Sequence, residues 1–371
     1  MTPPDSGPRR VLLAGGGTAG HVSPLLALAD CLRRRDPDVD IVVVGTAAGL
    51  EARLVPDRGY ELATIPKVPL PRRPSAELLA LPGALAGAVR RAGEIIDASG
   101  AEVVVGFGGY VSTPVYLAAR RRRVPIAIHE QNARAGIANK VGARLTRHVA
   151  TTFAQTELAH AQVIGMPLRR EIAGLDRDAR RAEGRSHFGL RPELPTLLVT
   201  GGSLGAQRLN ESFARSVGVL QSAGVQVLHV TGAGKEFEPA TEGSTVPYVV
   251  VPYVDRMDLA YAAADAVVCR AGANTVCELT AVGLPACYVP LPIGNGEQRL
   301  NARDVVAAGG GTLTEDSEVT PAWVRDVVVP LLTDEGRLAA MAAAAEGIGE
   351  RDADELLADL VVRAWRLGGR R

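Results

Sequence analysis

The amino-acid sequence predicts an α/β protein made of two doubly wound parallel sheets, and three observations lead there. Short apolar runs alternate with helix-like stretches along all 371 residues. The runs are continuous rather than alternating in polarity, as in parallel strands covered on both faces. The alternation breaks once, in the polar stretch 169–195, and then restarts in the same manner. Each half opens with a strand, a glycine-rich turn and a helix. The turns are Gly15-Gly16-Gly17-Thr18-Ala19-Gly20 and Gly201-Gly202-Ser203-Leu204-Gly205. Two Rossmann-like halves of this kind are expected to face each other across a ligand cleft.

In the first half, strands are expected at Arg10–Ala14, Ile41–Gly45, Val103–Gly106 and Pro125–His129. In the second they are expected at Thr196–Thr200, Val225–Val230, Tyr248–Val251, Ala266–Cys269 and Ala286–Val289. Helices Pro24–Arg35, Ser75–Ile96, Ala206–Ala223 and Asp255–Ala264 fall between them, giving βαβ repetition. The linker is placed within or just before 169–195, where Arg169-Arg170, Asp176-Arg177-Asp178 and Arg180-Arg181 leave no strand signal. The expected domains are 1–165 and 166–345, followed by 346–371. The helix of that last segment, Ala353 to Leu367, has the first domain as one place to pack.

Charge separates the halves although the net charge is zero. Residues 1–165 hold 20 Lys+Arg against 14 Asp+Glu, net +6, and residues 166–371 hold 21 against 27, net −6. The first half therefore suits an anionic partner such as a phospholipid surface or a pyrophosphate; ordinary solvated charge is the alternative. Aromatics are 4% and no basic helix is sustained, which argues against a nucleic-acid partner. Cys31, Cys269, Cys277 and Cys287 show no C-x-x-C spacing and read as small buried thiols of a reduced compartment. No signal peptide is visible, and the longest apolar candidate, Leu78 to Val89, has twelve residues interrupted by Pro82, Gly83 and Gly87. Arg72, Arg73, Arg90 and Arg91 flank that segment, so it reads either as a surface that rests on an anionic bilayer or as a core helix with solvated ends.

The most informative stretch is 270–283. Ala266–Cys269 is a buried strand, the chain turns at Gly272, and a helix begins. Its unpaired N-terminal amides suit a diphosphate. Glu278 lies one turn beyond Asn274 on the same face, where a carboxylate accepts both hydroxyls of a ribose. A sugar nucleotide is the ligand these groups fit.

Other strand ends carry further candidates. Gly15, Gly17 and Gly20 match G-x-G-x-x-G, but the second strand ends Val44-Gly45-Thr46 with no acid before Glu51, which disfavours NAD. His21 follows the loop and is read as a general base or as a structural cap. Gly106-Phe107-Gly108-Gly109-Tyr110 offers close backbone approach. Ile128-His129-Glu130-Gln131-Asn132 is read as a recognition loop, His129 and Glu130 forming either part of it or a satisfied buried pair. Ser203 donates to a phosphate or caps its helix, and the polar block Gly296-Glu297-Gln298-Arg299-Leu300-Asn301 is placed to line the same pocket as Glu278. Asp-x-Asp spacings follow no strand, so no metal site is inferred.

Taken in order, Gly16-Gly17-Thr18-Ala19-Gly20-His21, Gly108-Gly109-Tyr110, His129-Glu130-Gln131-Asn132, Gly201-to-Ala206 and Arg270-to-Glu278 resemble the peptidoglycan N-acetylglucosaminyltransferases, the MurG family within glycosyltransferase family 28. The resemblance spans about residues 10–345. It implies a GT-B fold and transfer of GlcNAc from UDP-GlcNAc to the C4 hydroxyl of MurNAc in lipid I, giving lipid II. It also implies inversion at the anomeric carbon, no cofactor, no metal in the site, and work at the cytoplasmic membrane face. The partners implied are UDP-GlcNAc, the lipid I acceptor and the anionic inner leaflet, with room for other cell-wall synthesis proteins.

Carried over by motif, donor contacts fall on Thr18, Ala19, Gly20, Asn132, Arg169, Ser203, Val254, Ala273, Asn274, Thr275, Val276, Cys277, Glu278 and Gln298. Arg169 closes the turn Gly165-Met166-Pro167-Leu168-Arg169. His21 is the favoured base and Glu130 the runner-up. The sequence departs from the family pattern at Ala19, where glycine is common, and at Asn274 and Cys277, where leucine and serine are common. Ala19 is tolerable only at negative φ. The competing functions are a GT-B enzyme acting on a soluble secondary metabolite and a silent nucleotide-sugar binder.

Overall fold

The computed structural model describes residues 7–68, 77–202, 205–241 and 243–368, with backbone only for 77–80. The chain divides into two compact units, Met1–Arg169 with Asp352–Arg371, and Arg170–Arg351. The sequence reading set these crossings at 165/166 and 345/346.

The first unit holds seven parallel strands: β1 (Arg10–Ala14), β2 (Asp40–Gly45), β3 (Glu61–Thr64), β4 (Val103–Gly106), β5 (Ile126–Glu130), β6 (His148–Thr151) and β7 (Ala161–Val163). Their spatial order is β3-β2-β1-β4-β5-β6-β7. Alternate residues face opposite sides. Val11, Leu13, Val43, Val103 and Val105 pack with Leu25 and Leu28 of the helix Ala19–Arg35. Leu12, Val42, Val44 and Val104 pack with the helices Glu77–Ser99 and Gly109–Arg122.

The helix Ala353–Gly368 completes the first of these layers. Leu357, Ala358, Leu360, Val361 and Ala364 join the same core as Val11 and Leu13. At its start, Asp354 and Glu355 accept from Arg34, and Glu355 and Asp359 accept from Arg35. Cys31, Asp354 and Glu355 cluster here, but these arginine bonds engage the carboxylates.

The second unit holds six parallel strands: β8 (Thr196–Thr200), β9 (Gln226–Val230), β10 (Tyr248–Val251), β11 (Ala266–Cys269), β12 (Ala286–Tyr288) and β13 (Gly311–Leu313). Their order is β10-β9-β8-β11-β12-β13. Leu197, Val199, Val227 and Val268 pack with Leu209, Phe213 and Leu220 on one face of this sheet.

Several elements differ from the sequence reading for identifiable reasons. β3, β6, β7 and β13 are three or four residues long, and β3 and β7 are edge strands whose residues are half or fully exposed. They lack the continuous apolar run of a covered strand. The expected helix 206–223 is two helices, Gln207–Ala214 and Val217–Ser222. At the break the Ser216 hydroxyl donates back to the Ser212 carbonyl, a bond that competes with the helix ladder. The polar stretch after 169 contains the helix Arg177–His187, which belongs to the second unit. There Arg177 donates to the carbonyls of Tyr261, Ala264 and Gly283. Cys31, Cys269 and Cys287 are buried and Cys277 is half-buried, all as free thiols.

Leu357→Ala is expected to lower stability by about 2–5 kcal/mol, because it empties a fully buried site. Asp359→Ala, which removes only the outer ion pair to Arg35, is expected to cost less than about 1 kcal/mol. Urea-denaturation midpoints of the two variants check both.

Candidate active site

In each sheet the strand order reverses direction between two central neighbours, β1 and β4 in the first and β8 and β11 in the second. Loops leaving the carboxyl ends of such neighbours diverge and leave a crevice. The sequence motifs sit at these four strand ends.

In the first unit, β1 runs into Gly15–Thr18 and β4 into Phe107–Gly109. A Cβ on Gly109 would stand 2.7 Å from the Gly16 carbonyl oxygen, so the two loops touch backbone to backbone. Gly17 has φ +91° and nothing near its missing side chain, which leaves an open concavity before the helix Ala19–Arg35. Ala19 is not among the non-glycine residues of positive φ, the condition its side chain requires. Thr18 is the N-cap, and its hydroxyl bonds His21 Nδ1 at 3.0 Å rather than a backbone amide. A Cβ on Gly108 would lie 3.4 Å from His21 Nε2, so glycine keeps the space at that nitrogen open. Burial lowers the His21 pKa, opposed in part by the Glu51 charge and the Gly16 carbonyl. A neutral imidazole at pH 7 follows, the form a base requires.

In the sequence Glu51 is only an acid placed too late for a dinucleotide site. It folds back under the glycine loop, fully buried. Its Oε2 accepts from the Gly17 N–H at 2.8 Å, and its Oε1 accepts from the Thr46 N–H and hydroxyl, each at 2.8 Å. Both oxygens are engaged by protein groups, so this acid does not serve a ribose.

At the end of β5 the structure separates the four polar residues. His129, Glu130 and Gln131 are buried, and Asn132 is half-buried. His129 Nε2 donates to the Gly165 carbonyl at 2.9 Å, while Nδ1 accepts from the Gln131 amide at 3.1 Å. Glu130 is 2% exposed. Its Oε1 accepts from the Asn132 N–H at 3.0 Å, and its Oε2 from the Gly136 N–H at 2.9 Å and Asn139 Nδ2 at 3.0 Å. Asn139 in turn accepts from the buried Tyr116 hydroxyl at 2.7 Å. The Glu130 carboxylate, read from the sequence as the runner-up base, clasps the 132–136 turn from inside. Arg169 is half-buried and ends the first unit's opening segment.

In the second unit, the helix Ala273–Ala281 starts directly beyond β11, with Gly272 as an N-cap that offers no side-chain bond and no acid in the first turn. Its leading amides are therefore available to an anion. Ala273 and Val276 face the interior, while Asn274, Thr275, Cys277 and Glu278 are half-buried. Glu278 Oε2 accepts from the Tyr261 hydroxyl at 2.7 Å, and Tyr261 is 2% exposed. Sequence reasoning missed Tyr261, whose signal is one aromatic in the alanine-rich helix Met257–Ala263. Arg270 has a framework role. Its Nη1 donates to the Val289 and Pro290 carbonyls and its Nη2 pairs with Asp316 at 2.6 Å. Gln298 Oε1 accepts from the Leu291 N–H at 2.9 Å, and Asn301 donates to the Ala271 carbonyl at 3.3 Å, so the polar block does reach the β11 loop. Val254 is buried beyond β10. Ser203, with Leu204, lies outside the described residues.

Comparison with known proteins places these features in a family context. The family model described as the glycosyltransferase family 28 N-terminal domain matches residues 11–151, and the one described as the C-terminal domain of that family matches residues 196–357. A UDP-N-acetylglucosamine–N-acetylmuramyl-(pentapeptide) pyrophosphoryl-undecaprenol N-acetylglucosamine transferase of Streptomyces avermitilis is 59% identical over 355 residues, 95% of this chain and 98% of that protein. The protein of the same name from Nocardia farcinica is 54% identical and covers 99% of each chain. Among solved structures, Acinetobacter baumannii MurG matches with TM-score 0.76 at 28% identity, over 96% of this chain and 100% of that one. A UDP-N-acetylglucosamine 2-epimerase matches with TM-score 0.65 at 15% identity, over 99% and 98%, and shares the fold alone.

The buried histidines make stability fall in acid. Burial lowers the pKa of His129 to about 4 and of His229 to about 3. Unfolded, each titrates near 6.5, so the unfolded chain takes up the proton first. Their contribution is complete above about pH 6.5 and is lost as pH falls toward 4. His229→Gln is expected to remove about one proton from that dependence, seen as a shallower fall of urea midpoint between about pH 6.5 and 4.

Proposed function

The chain belongs to glycosyltransferase family 28, and from that premise we propose that it transfers N-acetylglucosamine from UDP-N-acetylglucosamine to the C4 hydroxyl of the N-acetylmuramyl residue of lipid I, forming lipid II and UDP. The observation that carries the reading is the uncapped N-terminus of the helix Ala273–Ala281, with Glu278 one turn in and oriented by Tyr261. The names of relatives 54–59% identical over nearly their full length support the acceptor.

In the proposed reaction, neutral His21 takes the proton of the acceptor hydroxyl as its oxygen attacks the anomeric carbon from the side opposite the diphosphate. The new glycosidic C–O bond forms while the bond to the diphosphate breaks, its electron pair leaves with UDP, and the anomeric centre inverts. Helix N-terminal amides of the second unit stabilise the departing charge, a role they can fill without a metal. Glu278 receives the ribose hydroxyls, Val254 and Gln298 border the nucleotide, and Thr18, Ala19, Gly20, Asn132 and Arg169 are the first unit's donor contacts. Glu130 acts as a positioning residue for Asn132.

We place the enzyme peripherally on the anionic inner face of the cytoplasmic membrane. No helix among the described residues is long and apolar enough to cross a membrane. Tyr110 and Ile137, 43% and 66% exposed, follow the carboxyl ends of β4 and β5, beside the exposed cations Arg134 and Lys140, and Lys67 lies over the Tyr110 ring. The helix Glu77–Ser99 begins on this same side, and Pro82, Gly83, Ala84 and Ala86 along it are exposed. Arg72 and Arg73 lie outside the described residues.

Radiolabelled UDP-N-acetylglucosamine incubated with lipid I is expected to yield labelled lipid. Label transferred only to soluble acceptors, without need of detergent or bilayer, would reject the lipid assignment. Glu278→Ala is expected to raise the donor KM about tenfold or more, and Tyr261→Phe to raise it by less, about the worth of one hydrogen bond to a charged group. His21→Ala is expected to lower kcat by about a hundredfold or more with a smaller change in KM; wild-type turnover would move the base elsewhere.

A further inference from the structure

Resting on the reading of His21 as the base, we propose that Glu51 is its positioning residue: it fixes the shape of the His21 loop and supplies the negative charge that His21 meets on becoming an imidazolium. Glu51 opens the helix Glu51–Asp57 and is fully buried. Its three 2.8 Å hydrogen bonds come from Gly17 and Thr46, and among the described residues no cation pairs with it. Burying a carboxylate without a cation is costly unless hydrogen bonds satisfy it, and here three donors hold it in one place.

The surroundings are built around this side chain. A Cβ on Gly16, Gly45 or Gly49 would collide with the Glu51 side chain, so three glycines clear its place. The bond to the Gly17 N–H holds the loop at the one residue before the Thr18 cap, which in turn bonds His21. Burial raises the Glu51 pKa, but the N–H groups of Gly17, Glu51 and Thr46 with the Thr46 hydroxyl hold it below the ordinary carboxylate range. The group is therefore a fixed negative charge at neutral pH.

Other charged and titratable groups on the helix of His21 and on the elements of the same unit have partners of their own. Asp30, on the same helix, accepts from Arg58 and the Tyr60 hydroxyl. Asp354 and Glu355 on the C-terminal helix bind Arg34 and Arg35. Glu130 on β5 is enclosed by N–H donors, and Tyr116 on the helix Gly109–Arg122 donates to Asn139. Lys67 rests over the Tyr110 ring. Glu51 is the charge that favours the protonated ring of His21 against burial. A base isolated by burial alone resists taking a proton; a fixed carboxylate offsets that resistance as the charge develops.

The test compares wild type with Glu51→Gln in the full-length protein. The His21 imidazole is followed by NMR titration, assigned against His21→Gln, and transfer to lipid I is measured from about pH 5 to 9. Glu51→Gln is expected to make His21 titrate at lower pH, move the acid limb of kcat in the same direction, and lower kcat about tenfold or more. Unchanged His21 titration and kcat in folded Glu51→Gln would overturn the proposal. If that variant does not fold, Glu51→Asp decides, because it keeps the charge and withdraws it by one methylene. Shifts of the same sign with kcat about three- to tenfold down support the role, and wild-type behaviour overturns it. The NMR arm separates the two readings. A His21 shift in an enzyme that never labels lipid rejects the transferase assignment alone, and transfer without the shift rejects the Glu51 role alone.

Discussion

The constraint on which the molecule depends is the burial of both faces of a parallel sheet. Helices must cover each side, so neither face is left for a ligand. What remains open is the row of strand carboxyl ends, where chain leaves strand and enters helix with amides unpaired. Both units obey this: the glycine loop after β1 and the turn after β11 each lead straight into a helix start. Chemistry placed there inherits positive helix ends, which explains a family of anionic leaving groups before any side chain is considered.

The side chains then divide between framework and reaction. Arg270, within the most informative motif, ties β11 to the β12 exit and to Asp316. Glu130 and His129 do similar work inside the first unit, bonding the loops that carry Asn132 and Gly165. Others keep part of their surface open, among them Thr18, His21 and Asn132 in one unit and Asn274, Thr275, Glu278 and Gln298 in the other. Polar residues that recur in a motif are thus not all reactive; several serve to hold a turn whose neighbour is.

Legibility in the sequence followed the range of the interaction. Covered strands such as Val103–Gly106 and Thr196–Thr200 were readable to the residue, since burial on both faces writes an unbroken apolar run. Edge strands such as Ala161–Val163, wholly exposed, write no such run. The helix start at 273 and the pairing of Asn274 with Glu278 on one side were local and therefore visible. Glu51, bonded to Gly17 across 34 positions, and Tyr261, bonded to Glu278 across 17, were not. Nothing within a window of one helix turn announces such partners. The inward position of His129 and Glu130 stays open in the sequence for the same reason, because their hydrogen-bond partners, the Gly165 carbonyl and the Asn139 amide, lie on other elements.

The helix Ala353–Gly368 has a consequence for synthesis on the ribosome. Its leucines belong to the core of the unit formed by residues 1–169, yet all of Arg170–Arg351 is translated before they emerge. Domains complete folding as units while the chain grows. The later-starting unit therefore has its full sequence first, and the earlier one waits with the apolar layer over β4, β5 and β6 uncovered. During that interval the nascent first unit exposes apolar surface, and the helix Ala353–Gly368 is the element that covers it.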